Sequence, residues 1–209
     1  MNSRLSGCTF GILGDSYSTF RGYVPEEYEC YYPNDAVPDV IRVEDTWWHR
    51  LMTAQHMTLT VNDSYSGSTV CTQVRECHPA SAAFTHRAAH IFSGECQPDY
   101  IFVFGCTNDS WLERDIGEVT LTGRTEADLE QVLPAYCEVL ETLKRQNPRS
   151  TPVAVINTEL HPDIIAGIRQ AAEGYRCPVV ELENIDKYNG HPTALGMGQI
   201  AEQIAAVLA

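Results

Sequence analysis

Four loops of this chain carry side chains suited to acyl transfer. Gly14-Asp15-Ser16 follows the apolar run Cys8 to Leu13, and Asn62 to Ser68, containing Gly67, follows Met57 to Val61. Gly105-Cys106-Thr107-Asn108-Asp109 follows Tyr100 to Phe104, and Asp186 to Pro192, containing His191, follows Val179 to Leu182. Acyl transfer needs a nucleophile, a base within hydrogen-bond reach and donors for the oxyanion. Ser16 offers the hydroxyl and His191 the base. Taken singly, each has a plainer reading: Ser16 as a turn or helix-capping serine, Asn108 as a turn residue, Gly67 as a position of positive φ. Their recurrence after successive strand-like runs favours the chemical reading.

The runs themselves predict the scaffold. Cys8 to Leu13, Tyr100 to Phe104 and Val153 to Ile156 are continuously apolar, as strands buried on both faces of a parallel sheet are. Met57 to Val61 and Val179 to Leu182 are weaker strand candidates. Helix patterns lie between them. Asp45 to Gln55 opens on an acidic turn, and Ser81 to Phe92 is alanine-rich. Thr125 to Gln146 starts at a Thr125/Asp128 capping box, with Pro134 expected to kink or split it. Pro162 to Glu173 has proline at its start and Gly174 as its stop, and Thr193 to Leu208 closes the chain with a stripe of Ile200, Ile204, Val207 and Leu208. Alternating strands and helices give an α/β fold whose ligands bind beyond the carboxyl ends of the strands. Residues 1–209 read as one domain. Segment 17–44 breaks the alternation: its three prolines and five tyrosines read as an aromatic-rich insertion, suited to a lid or to half of a homo-oligomer interface.

With these residues in place, the sequence resembles the SGNH branch of the GDSL esterases and lipases. The family's first block is similar to Gly14-Asp15-Ser16-Tyr17, with tyrosine where leucine is commonest, and its second-block glycine resembles Gly67. Its Gly-x-x-Asn-Asp block is matched by Gly105, Asn108 and Asp109, and its histidine block by His191-Pro192-Thr193-Ala194-Leu195-Gly196. The resemblance implies a flavodoxin-like three-layer α/β/α sandwich of about five parallel strands in the order 2-1-3-4-5. It implies Ser16 as nucleophile and His191 as base, with an oxyanion hole from the N–H groups of Ser16 and Gly67 and the Asn108 amide. A carboxylic ester is the expected substrate, a short acyl group such as acetyl on a small molecule or carbohydrate. The family places an aspartate three residues before the histidine, where this chain has Tyr188. Asp186, Glu159 or a backbone carbonyl are the alternatives for orienting His191. Asp15, Tyr17 and Trp111 are expected near the substrate, although Asp15 and Asp109 also suit hydrogen bonds that fix their own turns.

Bulk properties narrow the alternatives. The formal net charge of −14 repels nucleic acid and anionic membranes, so neither is expected as a partner. No Gly-x-Gly-x-x-Gly turn supports a nucleotide or flavin, and no cofactor is expected. His86 and His90, four apart with Cys77-His78 upstream, have metal-capable spacing, but standard zinc spacings are missing and no metal is expected. The eight cysteines read as reduced thiols, with Cys71 and Cys77 the pair to watch if the protein is exported. The N-terminal residues lack an apolar signal-peptide core, so a cytoplasmic location is expected, or an exported one if a leader has been removed. The rival outside catalysis is an idle or regulatory ligand-binding domain on the same fold; intact Ser16, Asn108 and His191 speak against it.

Overall fold

In the computed structural model, which describes residues 4–90 and 97–209, the apolar runs form the sheet. Strands β1 (Thr9–Gly14), β2 (Thr58–Ser64), β3 (Tyr100–Phe104), β4 (Thr151–Ile156) and β5 (Val179–Glu181) are parallel, in the order β2-β1-β3-β4-β5. Side chains alternate between the two faces. Ile101 and Val103 join one core with α2 (Phe84–Ala88), α4 (Val132–Gln146) and α5 (Pro162–Tyr175). Phe102 and Phe104 join the other with α1 (Trp47–Gln55) and α6 (Ala194–Leu208). Both faces are covered, which is why the strands read as unbroken apolar runs. A short α3 (Thr107–Trp111) follows β3, and a two-stranded ribbon of β6 (Lys187–Tyr188) and β7 (His191–Pro192) precedes α6.

Several helix expectations change. The second helix is a 3-10 turn, Ala80–Ala82, followed by the five-residue α2; Ile91, Phe92 and Cys96 lie outside the described residues. Pro134 neither kinks nor splits α4. It is the third residue of a helix that begins at Val132, in the first turn where backbone N–H groups have no intrahelical partner. The Thr125 N–H and hydroxyl donate to the Asp128 carboxylate at the entry to the preceding 3-10 turn, Ala127–Glu130, whose own cap residue is Glu126. Gly174 lies inside α5, packed beneath Leu121, and the helix stops at Arg176 in the left-handed conformation, φ 54°.

Arg87 ties the sheet edge together from a buried position. Its guanidinium donates to Asp63 Oδ1 at 2.8 Å, the Gly14 carbonyl at 3.0 Å, Ser68 Oγ at 3.1 Å and the Ala82 carbonyl at 3.0 Å. Its side chain is 1% exposed and that of Asp63 12%. Arg87→Met strands the Asp63 carboxylate and the carbonyls of Asp63, Gly14 and Ala82, which is costlier than losing the pair's own attraction. The expected loss is about 3–5 kcal/mol of unfolding free energy, read by urea denaturation. A loss under about 1 kcal/mol, as for an exposed pair, would contradict this role.

Candidate active site

Register levels the strand exits. Gly14 pairs with Ser64 on one side and Phe104 on the other, so the loops after β1, β2 and β3 begin side by side. The loop after β1 turns at once into a 3-10 turn, Ser16–Ser18. Asp15 caps it by accepting the Tyr17 N–H at 3.1 Å, and burial pushes its carboxyl up to about 7. A side chain at Gly14 would press on Ser64 Oγ and Ser18. Trp47 and Trp48, both buried, donate their indole N–H groups to Ser18 Oγ at 3.1 Å and to the Ser18 carbonyl at 3.0 Å. Ser16 Oγ thus emerges on a braced turn, 3.0 Å from His191 Nε2.

The loop after β2 and the turn after β3 are locked to each other. Asp109, fully buried, accepts the N–H groups of Val70 and Cys71 at 2.9 to 3.2 Å. Cys106 takes a left-handed φ of 68°, which turns the chain sharply from β3 into α3 and sets Asn108 at the sheet edge. Arg75 bridges the two loops, donating from Nε to the Gly67 carbonyl at 3.2 Å and from Nη2 to Asn108 Oδ1 at 3.0 Å. Asn108 Nδ2 donates to the Ser68 carbonyl at 3.0 Å and keeps a second hydrogen. Gly67 has φ 80°, and a Cβ there would sit 2.6 Å from the His78 ring, so both conformation and space call for glycine. Among the described residues the N–H groups of Ser16 and Gly67 meet no acceptor.

His191 stands on the ribbon. Asn189 and Gly190, with φ 49° and 75°, form its two-residue turn, the conformation that Asn-Gly favours in tight hairpins. The Asn189 carbonyl lies 3.2 Å from His191 Nδ1. Neither carboxylate expected as orienter reaches the ring. The ribbon pairs Tyr188 with His191, which leaves Asp186 opposite Thr193; Asp186 accepts that residue's N–H on its carbonyl at 3.1 Å and its hydroxyl on its carboxylate. Glu159 pairs with Lys187 Nζ at 3.1 Å. A side chain at Gly196 would overlap the Asp186 carbonyl, which accounts for the small residue at the start of α6. Burial, aided by the Lys187 charge, holds the His191 imidazole below its ordinary value of 6.5 against the opposing pull of the Asn189 carbonyl.

Ser16, Gly67, Asn108 and His191 open onto one cavity of about 260 Å³, walled also by Tyr31, Arg75 and Trp111. Trp111 meets the His191 ring edge-on at 5.7 Å and is 45% exposed, in keeping with its expected place near a substrate. Asp15 and Tyr17, also expected there, are fully buried beneath the site and present no surface to a substrate. Arg75, Tyr31 and Glu29 are among the wall residues that the motifs do not single out, because their places depend on loop paths with no local signature. A larger groove of about 500 Å³ lies between α1 and α6, lined by Leu51, Ala201 and Ala205, away from these groups. His86 and His90 pack edge to face at 5.2 Å, and no set of three or more metal-capable side chains converges among the described residues. Cys71 is buried, Cys77 is exposed, and both are free thiols. Among the described residues no helix is long and apolar enough to cross a membrane.

Comparison with known proteins accords with this geometry. Residues 8–208 match the family described as GDSL-like Lipase/Acylhydrolase. The chain is similar to a protein of Bacteroides uniformis described as a GDSL-like lipase, at 37% identity over 95% of this chain and 93% of that one, with a TM-score of 0.87. A protein of the same description from Bacteroides ovatus is 34% identical over 95% and 96% of the two chains, with a TM-score of 0.88. A carbohydrate acetylesterase of Sinorhizobium meliloti shares the fold, at 12% identity over 95% and 97% of the chains and a TM-score of 0.67. No curated protein matches the sequence.

Proposed function

The chain belongs to the GDSL-like lipase/acylhydrolase family of carboxylic ester hydrolases, and from that premise we propose that it removes a short acyl group, acetyl first, from a small or carbohydrate ester through an acyl-enzyme at Ser16. The observation that carries the reading is the 3.0 Å contact between Ser16 Oγ and His191 Nε2 inside a cavity that also holds Gly67 and Asn108. Ser16 Oγ adds to the ester carbonyl carbon while His191 Nε2 takes its proton. The carbonyl electrons move onto oxygen, facing the N–H groups of Ser16 and Gly67 and the free Asn108 hydrogen. Collapse breaks the ester C–O bond, and the imidazolium returns its proton to the departing alkoxide. Water then enters by the same route, its proton passing through His191, and frees the acid and Ser16.

His191 works here with Ser16 as a dyad, its Nδ1–H directed to the Asn189 carbonyl. That tautomer leaves Nε2 as the acceptor facing Ser16. The cavity of about 260 Å³ favours a short acyl group, since sites for larger ligands run from about 300 Å³ upward. Its exposed Trp111 wall suits a sugar ring.

A fluorophosphonate probe tests the assignment. Wild type is labelled on Ser16 and Ser16→Ala is not; equal labelling of both would sink it. Hydrolysis of p-nitrophenyl acetate should outrun that of the octanoate, and a preference for the longer ester contradicts the short-acyl reading. The base must be neutral to act, so activity falls as pH drops through the His191 value. Because burial lowers that value, the acid limb of kcat/KM should lie below pH 6.5. A limb clearly above 6.5 contradicts a buried His191 as the base.

A further inference from the structure

Segment 17–39 touches the histidine loop almost residue by residue. Ala36 accepts the Asn189 side-chain amide at 3.3 Å. Tyr17 donates its hydroxyl to the Gly190 carbonyl at 2.5 Å, and Tyr32 donates its own to the Pro192 carbonyl at 2.8 Å. Asp39 accepts the Ala194 N–H at 3.0 Å. The residue between, His191, is covered by Tyr31: the two rings are parallel within 5°, with centroids 3.7 Å apart. Tyr31 is itself held, through its N–H on Thr19 Oγ1 at 3.0 Å and its ring against Tyr32 at 4.9 Å. Tyr17, Phe20, Tyr32 and Val37 anchor the segment in the core shared with α1 and α6.

We infer that segment 17–39 is a positioning strap that fixes the plane of the His191 imidazole by ring stacking and by hydrogen bonds to its loop, in the role a carboxylate would otherwise fill. The inference rests on the Ser16–His191 reading. A single carbonyl at Nδ1 fixes one direction of the ring but leaves it free to swing about that bond. A parallel ring on one face and Trp111 at the edge remove that freedom. Tyr31 is therefore a positioning residue, and its effect belongs in kcat.

Kinetics on p-nitrophenyl acetate with the full chain, run beside fluorophosphonate labelling, test this. Tyr31→Ala should lower kcat by about 10- to 100-fold with KM little changed, the scale of a misplaced catalytic group. Tyr31→Phe keeps the ring and should stay within about threefold of wild type. Tyr31→Leu fills the space without a plane and should resemble the alanine variant; it replaces that variant if alanine prevents folding. Tyr32→Phe, which removes only the hydroxyl on Pro192, should lower kcat in the same sense, and it carries the test if neither other variant folds. Wild-type kcat in the ring-less variants overturns the strap. So does a phenylalanine variant as slow as alanine, or a change confined to KM, which would make Tyr31 a substrate contact. Failure of wild-type Ser16 to label strikes at the underlying reading and leaves a different pattern.

Discussion

His191→Ala should lower kcat for ester hydrolysis on the order of 10⁶-fold, and Ser16→Ala should do the same. The two act as one unit: without the base the hydroxyl stays protonated, and without the hydroxyl the base has nothing to activate. The double variant is therefore expected to be no slower than either single one. Both side chains are buried, Ser16 at 3% exposure and His191 at 8%, so bulk water is a poor substitute for the missing partner. The companion variants sharpen the result. In a triad, neutralising the orienting aspartate costs on the order of 10⁴ in kcat. Asp186→Asn and Glu159→Gln should each stay within about threefold of wild type, because neither carboxylate touches His191. A triad-sized loss at Asp186 would reject the dyad.

That contrast marks where the sequence was legible. Strands buried on both faces announce themselves as apolar runs, so the sheet edge, and the loops beginning at Gly14, Ser64 and Phe104, could be read in advance. Ser16, Gly67 and Asn108 were legible as candidates because each falls just beyond such an edge; His191, farther on in β7 of the ribbon, was legible as a candidate from its match to the family's histidine block. The group facing His191 Nδ1 was not legible as a single choice, because chain distance suggests Asp186 while ribbon pairing decides otherwise. The Asn189-Gly190 dipeptide holds the clue: a two-residue hairpin turn pairs Tyr188 with His191 and carries Asp186 past the ring to Thr193. Tyr31 and Arg75 had no such clue, since each reaches the site along an irregular loop. The same limit appears in the helices. Gly174 looks like a stop by type, yet it lies inside α5 with Leu121 over it, and the left-handed turn falls to Arg176.

Asn108→Ala should lower kcat on the order of 10² to 10³-fold with little change in KM. The hydrogen-bond partners fix which end of this amide is oxygen and which nitrogen. Arg75 can only donate, so the atom it meets at 3.0 Å is Oδ1; the Ser68 carbonyl can only accept, so the atom it meets at 3.0 Å is Nδ2. Both contacts are spent on holding the amide, and the one hydrogen left over is free for an oxyanion. Its benefit grows as charge moves onto the substrate oxygen, which is why the loss belongs in kcat. Asn108→Asp, of nearly the same shape, should be worse than alanine, since it sets a carboxylate where negative charge develops. Arg75→Met leaves Asn108 in place but removes the donor that orients it and steadies the Gly67 carbonyl, so a smaller loss of the same kind is expected. Wild-type kcat in Asn108→Ala would remove Asn108 from the oxyanion site and leave the N–H groups of Ser16 and Gly67 as its donors.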